Sequence, residues 1–279
     1  MAGSGQGWAM ADRSVTWYLP TGSGERWPED YERGRPGWPP EVVDIPGVPT
    51  TSTVLDLAAG TGKLTRLLVP AFSRVVAVEP QDAMRRVLHA LCPEAEAHTG
   101  TAEEIPLADA SVDAVFVAQA FHWFDNERAL AEIARVLRPR GALVVMWNLP
   151  ASPWGPSIAI VEQLLLQRAP DKAKLGYDPL DLNSPRYASG VWRLAFAASP
   201  FGELQEARLP NPQTLDRDGL VAFLASMGWI ADLPDVDRLP LLEEAKSLLD
   251  AAEYRRSWET HVYWARLSHR QRTGDQRLN

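Results

Sequence analysis

The chain has very little cysteine: Cys92 is the only one among 279 residues. A single thiol excludes an intramolecular disulfide and any zinc site built from cysteines. It also suits a reducing compartment, and the cytoplasm is the expected location. Positive charge is short as well, with 28 Lys and Arg against 36 Asp and Glu and a net charge of -8. Without a basic surface the chain has no general attraction for phosphate, so neither nucleic acid nor an anionic membrane is an expected partner. No window approaches the ~18 apolar residues needed to cross a bilayer. The opening stretch MAGSGQGWAMADRS has neither the basic start nor the apolar run of an export signal. Of the five histidines, His261 and His269 stand too far from other ligands to suggest a metal site. What remains is 46% hydrophobic and 23% charged, a composition that fits a soluble globular protein acting on small ligands.

From residue 53 onward, short apolar runs alternate with amphipathic segments. TVLDLAA (53–59), RVVAVEP (74–80), AEAHTGT (95–101), VDAVFVAQ (112–119) and ALVVMWN (142–148) read as strands. Between them, residues 63–72, 81–91 and 126–139 carry apolar side chains at helical spacing, the last stopped by Pro139, Arg140 and Gly141. Strands that are apolar on both faces and alternate with helices predict a parallel sheet covered on both sides, a doubly wound α/β core. Beyond Pro150 the rhythm breaks. Helices are expected over 154–169, 215–228 and 239–254, and strands over 202–209 and 260–267, with no internal repeat.

Ligands of doubly wound sheets bind beyond the carboxyl ends of the strands, where strand order reverses. That edge carries DLAAGTG (56–62). Gly60 and Gly62 permit a turn whose backbone can touch a ligand, and the helix that follows presents free N–H groups. The next strand ends in Glu79, followed by Pro80. An acid there, about 20 residues after the turn, can accept both hydroxyls of a ribose. A nicotinamide fingerprint requires a small residue where this chain has Thr65, and the P-loop spacing is missing although Lys63 follows Gly62.

In order and spacing, VLDLAAGTGKLTRLL, VVAVEPQDAMRR, GTAEEIPLADASVDAVFVAQAFHWF and ALAEIARVLRPRGALVVMWN resemble class I S-adenosylmethionine-dependent methyltransferases. The resemblance is to the type 11 group, and within it to members like trans-aconitate methyltransferase. It implies a Rossmann-like fold with a mostly parallel sheet of about seven strands, and S-adenosylmethionine as cofactor. In the family's D/E-x-G-x-G-x-G motif, Asp56, Gly60 and Gly62 fall in place, whereas Ala58 replaces the first glycine. The resemblance then has Asp56 orienting the turn, Gly60 and Gly62 approaching the ligand, Glu79 holding the ribose and Met84 packing on adenine. Where family members carry Gly-Asp-Ala after the third strand, this chain has Gly100, Thr101, Ala102 and then Glu103, so Thr101 and the Ala102 N–H are the expected partners of the adenine.

The run AQAFHWF (118–124) places Gln119 and His122 at the same sheet edge, where sulfonium and acceptor would meet. Aromatic faces attract a cation, and His122 can take a proton from an acceptor hydroxyl. It can equally be a structural histidine that fixes the loop. Gln119 is expected to act through its backbone carbonyl, and Trp123 and Phe124 as core. Ahead of the sheet, Tyr31, Arg35 and Pro36 resemble the segment by which this family closes over the cofactor, so Tyr31 and Arg35 are expected at its carboxylate. Trp8, Trp17, Trp27 and Trp38 can staple that segment to the core or wall a pocket.

These readings divide the chain into a flexible N-terminus (1–25), a cofactor-binding Rossmann-like core (26–150), a lid inserted after the fifth strand (151–200), a C-terminal part that completes the sheet (201–270) and a loose tail (271–279). Tyr177, Tyr187 and Trp192 are candidate lid aromatics. The expected reaction is methyl transfer to a small-molecule acceptor, at oxygen of a carboxylate or hydroxyl. Two alternatives stay open: a protein that binds the cofactor without transferring methyl, and a nicotinamide-dependent oxidoreductase. Oligomeric state is not legible.

Overall fold

The computed structural model describes residues 27–152, 155–168 and 190–268. Trp8, Trp17, Tyr177, Tyr187, His269, the N-terminus (1–25) and the tail (271–279) lie outside the described residues. The sheet has seven strands: β1 (Thr53–Leu57), β2 (Arg74–Val78), β3 (Glu96–His98), β4 (Val112–Ala118), β5 (Leu137–Pro150), β6 (Gln205–Leu215) and β7 (Tyr254–Arg266). Their order is β3-β2-β1-β4-β5-β7-β6. The first five are parallel, and β7 runs antiparallel to both of its neighbours.

The expected alternation is present. Helices α2 (Thr65–Leu68), α3 (Asp82–Leu91) and α4 (Asn126–Val136) follow β1, β2 and the β4 edge. Val54, Leu55, Val76, Val78, Val115, Phe116, Val144 and Val145 are all fully buried, as a sheet covered on both faces requires.

Several boundaries differ from the sequence expectation, for identifiable reasons. The helix read over 126–139 ends at Val136, and Pro139, Arg140 and Gly141 lie inside β5 instead of stopping a helix. Leu137 pairs with Val112 and Ala142 with Ala114, so residues 138–141 bulge opposite Asp113, with Arg140 at φ 66. The segment 63–72 is regular helix only over Thr65–Leu68. β6 runs to Leu215 and not to 209, through Pro210 and Pro212. An edge strand tolerates proline because one side of its backbone needs no partner.

The entrance segment begins with α1 (Trp27–Gly34). After β5 come α5 (Pro156–Arg168) and α6 (Leu194–Ala197); α7 (Arg217–Ala225), α8 (Gly228–Ala231) and α9 (Asp235–Ser247) follow β6. Ile158, Val161 and Leu165 of α5 join Leu220, Phe223, Ile230, Leu241 and Trp258 in an apolar cluster separate from that under α4. Trp192 packs under α4, edge-on to Phe121, and so belongs to the core. Among the described residues, no helix is long and apolar enough to cross a membrane.

Candidate cofactor site

The cavity at the carboxyl ends of β1, β4 and β5 opens where strand order reverses between β1 and β4. Asp56, Ala58, Gly60, Lys63, Gln119, Asn148, Tyr31, Arg35 and Trp38 are on its wall.

Asp56 is the penultimate residue of β1 and is 1% exposed. Its Oδ2 accepts from the Thr65 hydroxyl at 2.7 Å, whereas Oδ1 is buried with no hydrogen-bond partner. Burial pushes this carboxyl up to about 7, the Thr65 bond opposing the shift and the charge of Glu79 adding to it. Thr65, which in a nicotinamide fingerprint would be a small residue, thus serves the acid and not helix packing.

The turn after β1 is left-handed at three positions: Ala58 (φ 58), Gly60 (φ 58) and Gly62 (φ 86). A Cβ on Gly60 would meet nothing within 4 Å, so its backbone borders open space. A Cβ on Gly62 would lie 2.9 Å from Cys92 Sγ and 3.2 Å from Leu88 Cγ. The lack of a side chain at Gly62 thus lets α3 pack against the turn.

Glu79, 5% exposed, accepts from the backbone N–H of Gly60 through Oε2 and of Gln81 through Oε1, both at 2.9 Å. Burial raises its pKa, and the two amide bonds oppose that. A carboxylate offers about four acceptor positions, so both oxygens keep capacity for a ligand. Pro80 contributes its carbonyl to Arg85 Nη1 at 3.0 Å and is not on the cavity wall.

The entrance segment supplies the opposite wall. Glu32 of α1 accepts from Thr61 Oγ1 and from Arg66 Nη2, each at 2.6 Å, and its carbonyl accepts from Lys63 Nζ at 2.5 Å. Burial lowers the pKa of Lys63, with Glu32 acting against the shift. Arg35 donates from Nε to Ser226 Oγ and from Nη2 to Ser226 O, both at 2.8 Å. Burial raises the pKa of Tyr31 and lowers that of Arg35. The entrance tryptophans divide their work: Trp27 bonds Ser226 O at 3.3 Å as a staple, and Trp38 borders the cavity.

Gln119 lies just past β4 at φ 57, its Oε1 accepting from the Asn148 N–H at 2.9 Å. Its side-chain oxygen is thus engaged within the protein. His122, open between a base and a structural histidine, makes a structural bond. It is 5% exposed, and its Nδ1 accepts from Trp147 Nε1 at 3.0 Å. An indole N–H can only donate, so neutral His122 carries its proton on Nε2 and has no lone pair to offer. Trp123 is 36% exposed and not core, whereas Phe124 packs against the core as expected.

The adenine partners are not on the cavity wall. Met84 is buried against Trp27, Tyr31 and Ala231, so the entrance helix takes the surface expected for adenine. Thr101 is an exposed residue bridged to Glu104, Ala102 is core, and Glu103 accepts from the Asp125 N–H at 2.9 Å.

Residues 55–145 match the methyltransferase domain family. An uncharacterized methyltransferase-like protein of Schizosaccharomyces pombe is 34% identical over 216 residues, which cover 75% of this chain and 78% of that one. The chain belongs to the class I S-adenosylmethionine-dependent methyltransferases. An uncharacterized methyltransferase of Mycobacterium tuberculosis is 58% identical over 118 residues, 42% of this chain. That match takes in 49% of the relative, so the chain spans about half the length of the mycobacterial proteins it matches. The solved structure of a provisionally assigned type II methyltransferase from Anaeromyxobacter dehalogenans superposes with a TM-score of 0.62 at 24% identity, over 84% of this chain and 99% of that one, and shares the fold. Sequence reasoning offered Trp38 as a possible pocket wall but missed Asn148 and Ser226 as site residues. Lys63 was noticed only as the lysine of a failed P-loop.

Proposed function

We propose that this methyltransferase binds S-adenosylmethionine in the cavity between the Gly60 turn and the entrance segment, and transfers its methyl group to oxygen of a small-molecule carboxylate or hydroxyl. The observation that carries the reading is that Asp56, whose buried Oδ1 has no hydrogen-bond partner, and Arg35 both line one cavity. A buried acceptor without a donor costs about 1–3 kcal/mol. An ammonium group would relieve that cost, and a carboxylate beside it would meet Arg35, so the wall is complementary to the amino-acid end of the cofactor. Gly60, open at its Cβ position, gives backbone access, and Glu79 beside it keeps acceptor capacity for ribose hydroxyls.

S-adenosylmethionine supplies a methyl carbon activated by a sulfonium, which an acceptor lone pair displaces in line. The contribution of the chain is positioning. The bond from Trp147 to His122 Nδ1 supports a structural role for this ring, and a carboxylate acceptor, already ionised near neutral pH, needs no base. The net charge of -8 disfavours nucleic acid as the acceptor. The single buried Cys92 suits a cytoplasmic location.

Calorimetry with S-adenosylhomocysteine tests the reading. One equivalent should bind at micromolar concentration, and NAD should not compete. No heat at millimolar ligand, or a soaked crystal with protein side chains filling the cavity, would overturn it. Transfer of labelled methyl to members of a carboxylate panel, in preference to alcohols and phenols, tests the acceptor class.

A further inference from the structure

Ser226, the residue after α7, lies in none of the cofactor motifs and is 1% exposed, yet it meets the cavity wall through Arg35. Its hydrogen bonds have only one consistent direction. An arginine can only donate and a carbonyl can only accept. Ser226 Oγ therefore accepts from Arg35 Nε at 2.8 Å and gives its single proton to the Phe223 carbonyl at 2.6 Å. The Ser226 carbonyl accepts twice, from Arg35 Nη2 at 2.8 Å and from Trp27 Nε1 at 3.3 Å. Arg35 is thus gripped along its Nε and Nη2 edge by one residue, and none of these bonds uses Nη1. The guanidinium carbon also lies 5.5 Å from the Tyr31 ring centre and 5.6 Å from that of Phe223, which restricts its swing.

We infer that Ser226 is a positioning residue for cofactor binding: it holds one edge of the Arg35 guanidinium so that the end bearing Nη1 stays directed at the carboxylate of the bound cofactor. The inference rests on the proposed cofactor reading and extends it to a residue 191 positions away in sequence. It also gives α7 a part in ligand recognition, since its last turn presents the hydroxyl and the carbonyl. A planar guanidinium whose orientation is fixed in advance loses little entropy when it pairs with a carboxylate, whereas one released from Ser226 must be ordered by the ligand itself.

The alternative is that Ser226 only staples the entrance segment, and two ligands separate these roles. S-adenosylhomocysteine carries the carboxylate; its decarboxylated analogue keeps adenosine and ammonium and lacks only that group. For Ser226→Ala the expected result is about tenfold weaker binding of S-adenosylhomocysteine and less than about twofold change for the analogue. Equal weakening of both ligands, or unchanged affinity for the first, overturns the inference. Wild-type protein that binds neither ligand overturns the cofactor reading itself, a distinct outcome. Should the alanine variant not fold, Ser226→Cys keeps the side-chain volume with a weaker acceptor and carries the same comparison.

Discussion

The backbone amide of Gly60 donates to Glu79 Oε2 at 2.9 Å, tying the turn after β1 to the acid that ends β2. The Oε1 of the same carboxylate holds the Gln81 N–H ahead of α3. Glu79 therefore shapes the turn, through Gly60, which lines the cavity. Glu79→Ala should cost about 1–3 kcal/mol of stability without ligand, because two backbone donors lose their acceptor. It should also weaken S-adenosylhomocysteine at least tenfold by calorimetry. Full affinity in the variant would rule out the ribose assignment.

Asp56 gives a pH dependence whose sign is set by its upward shift. Burial pushes its carboxyl from the usual carboxylate range, near 4, up to about 7 in the folded chain. Between these values the native state holds a proton that the unfolded chain has released, so stability falls as pH rises through this window. The loss amounts to about 4 kcal/mol at most by linkage, and is complete above pH about 7. Denaturant unfolding of ligand-free protein at pH 5 and 8 should show the decline, and Asp56→Asn should flatten it. Affinity for the cofactor ammonium should move the other way, rising with pH as Asp56 ionises. A wild-type stability curve as flat as that of Asp56→Asn would contradict the buried, partnerless carboxyl.

Much of this could be read from the residues because the parallel core writes itself locally. Val54, Leu55, Val76, Val115 and Val144 mark strands that are buried on both faces, and DLAAGTG marks the turn between β1 and α2. The misread parts depend on partners that no local pattern reveals. Pro139, Arg140 and Gly141 look like a helix stop, yet they form a bulge defined only by Asp113 on the neighbouring strand. Pro210 and Pro212 look like breaks until β6 is known to be the outer strand of the sheet. At the site, Asp56 and Gly60 announce themselves by spacing, whereas Asn148 and Ser226 enter through contacts with Gly37 and Arg35 that close only in three dimensions.

Ala58 occupies left-handed backbone at φ 58, where a side chain costs about 1–2 kcal/mol relative to glycine. Gly loses somewhat more chain entropy on folding, about 0.5–1 kcal/mol. Ala58→Gly should therefore raise stability by about 0.5–1 kcal/mol, read as a higher denaturant midpoint with an unchanged slope. Because Ala58 is on the cavity wall, the variant should bind S-adenosylhomocysteine at least as well as wild type. A destabilised variant would mean that the Ala58 methyl makes packing contacts worth more than the strain it carries.

His122 distinguishes a structural from a catalytic reading of the aromatic strand end. Its Nδ1 receives the Trp147 indole proton in a buried setting, which fixes the Nε2–H tautomer. Removing that acceptor with His122→Ala should cost about 1–3 kcal/mol of stability. His122→Asn can place an amide oxygen near the indole and should recover part of the loss. If the ring acts only in this way, the rate of methyl transfer at saturating ligand, measured below the melting range, should fall less than about threefold in the asparagine variant, and its pH profile should keep the wild-type shape. A general base would behave differently, since such groups typically supply about 10²–10⁴-fold in rate. Loss of the acidic limb of the pH profile together with a drop of that size in a variant that folds normally would restore His122 to catalysis.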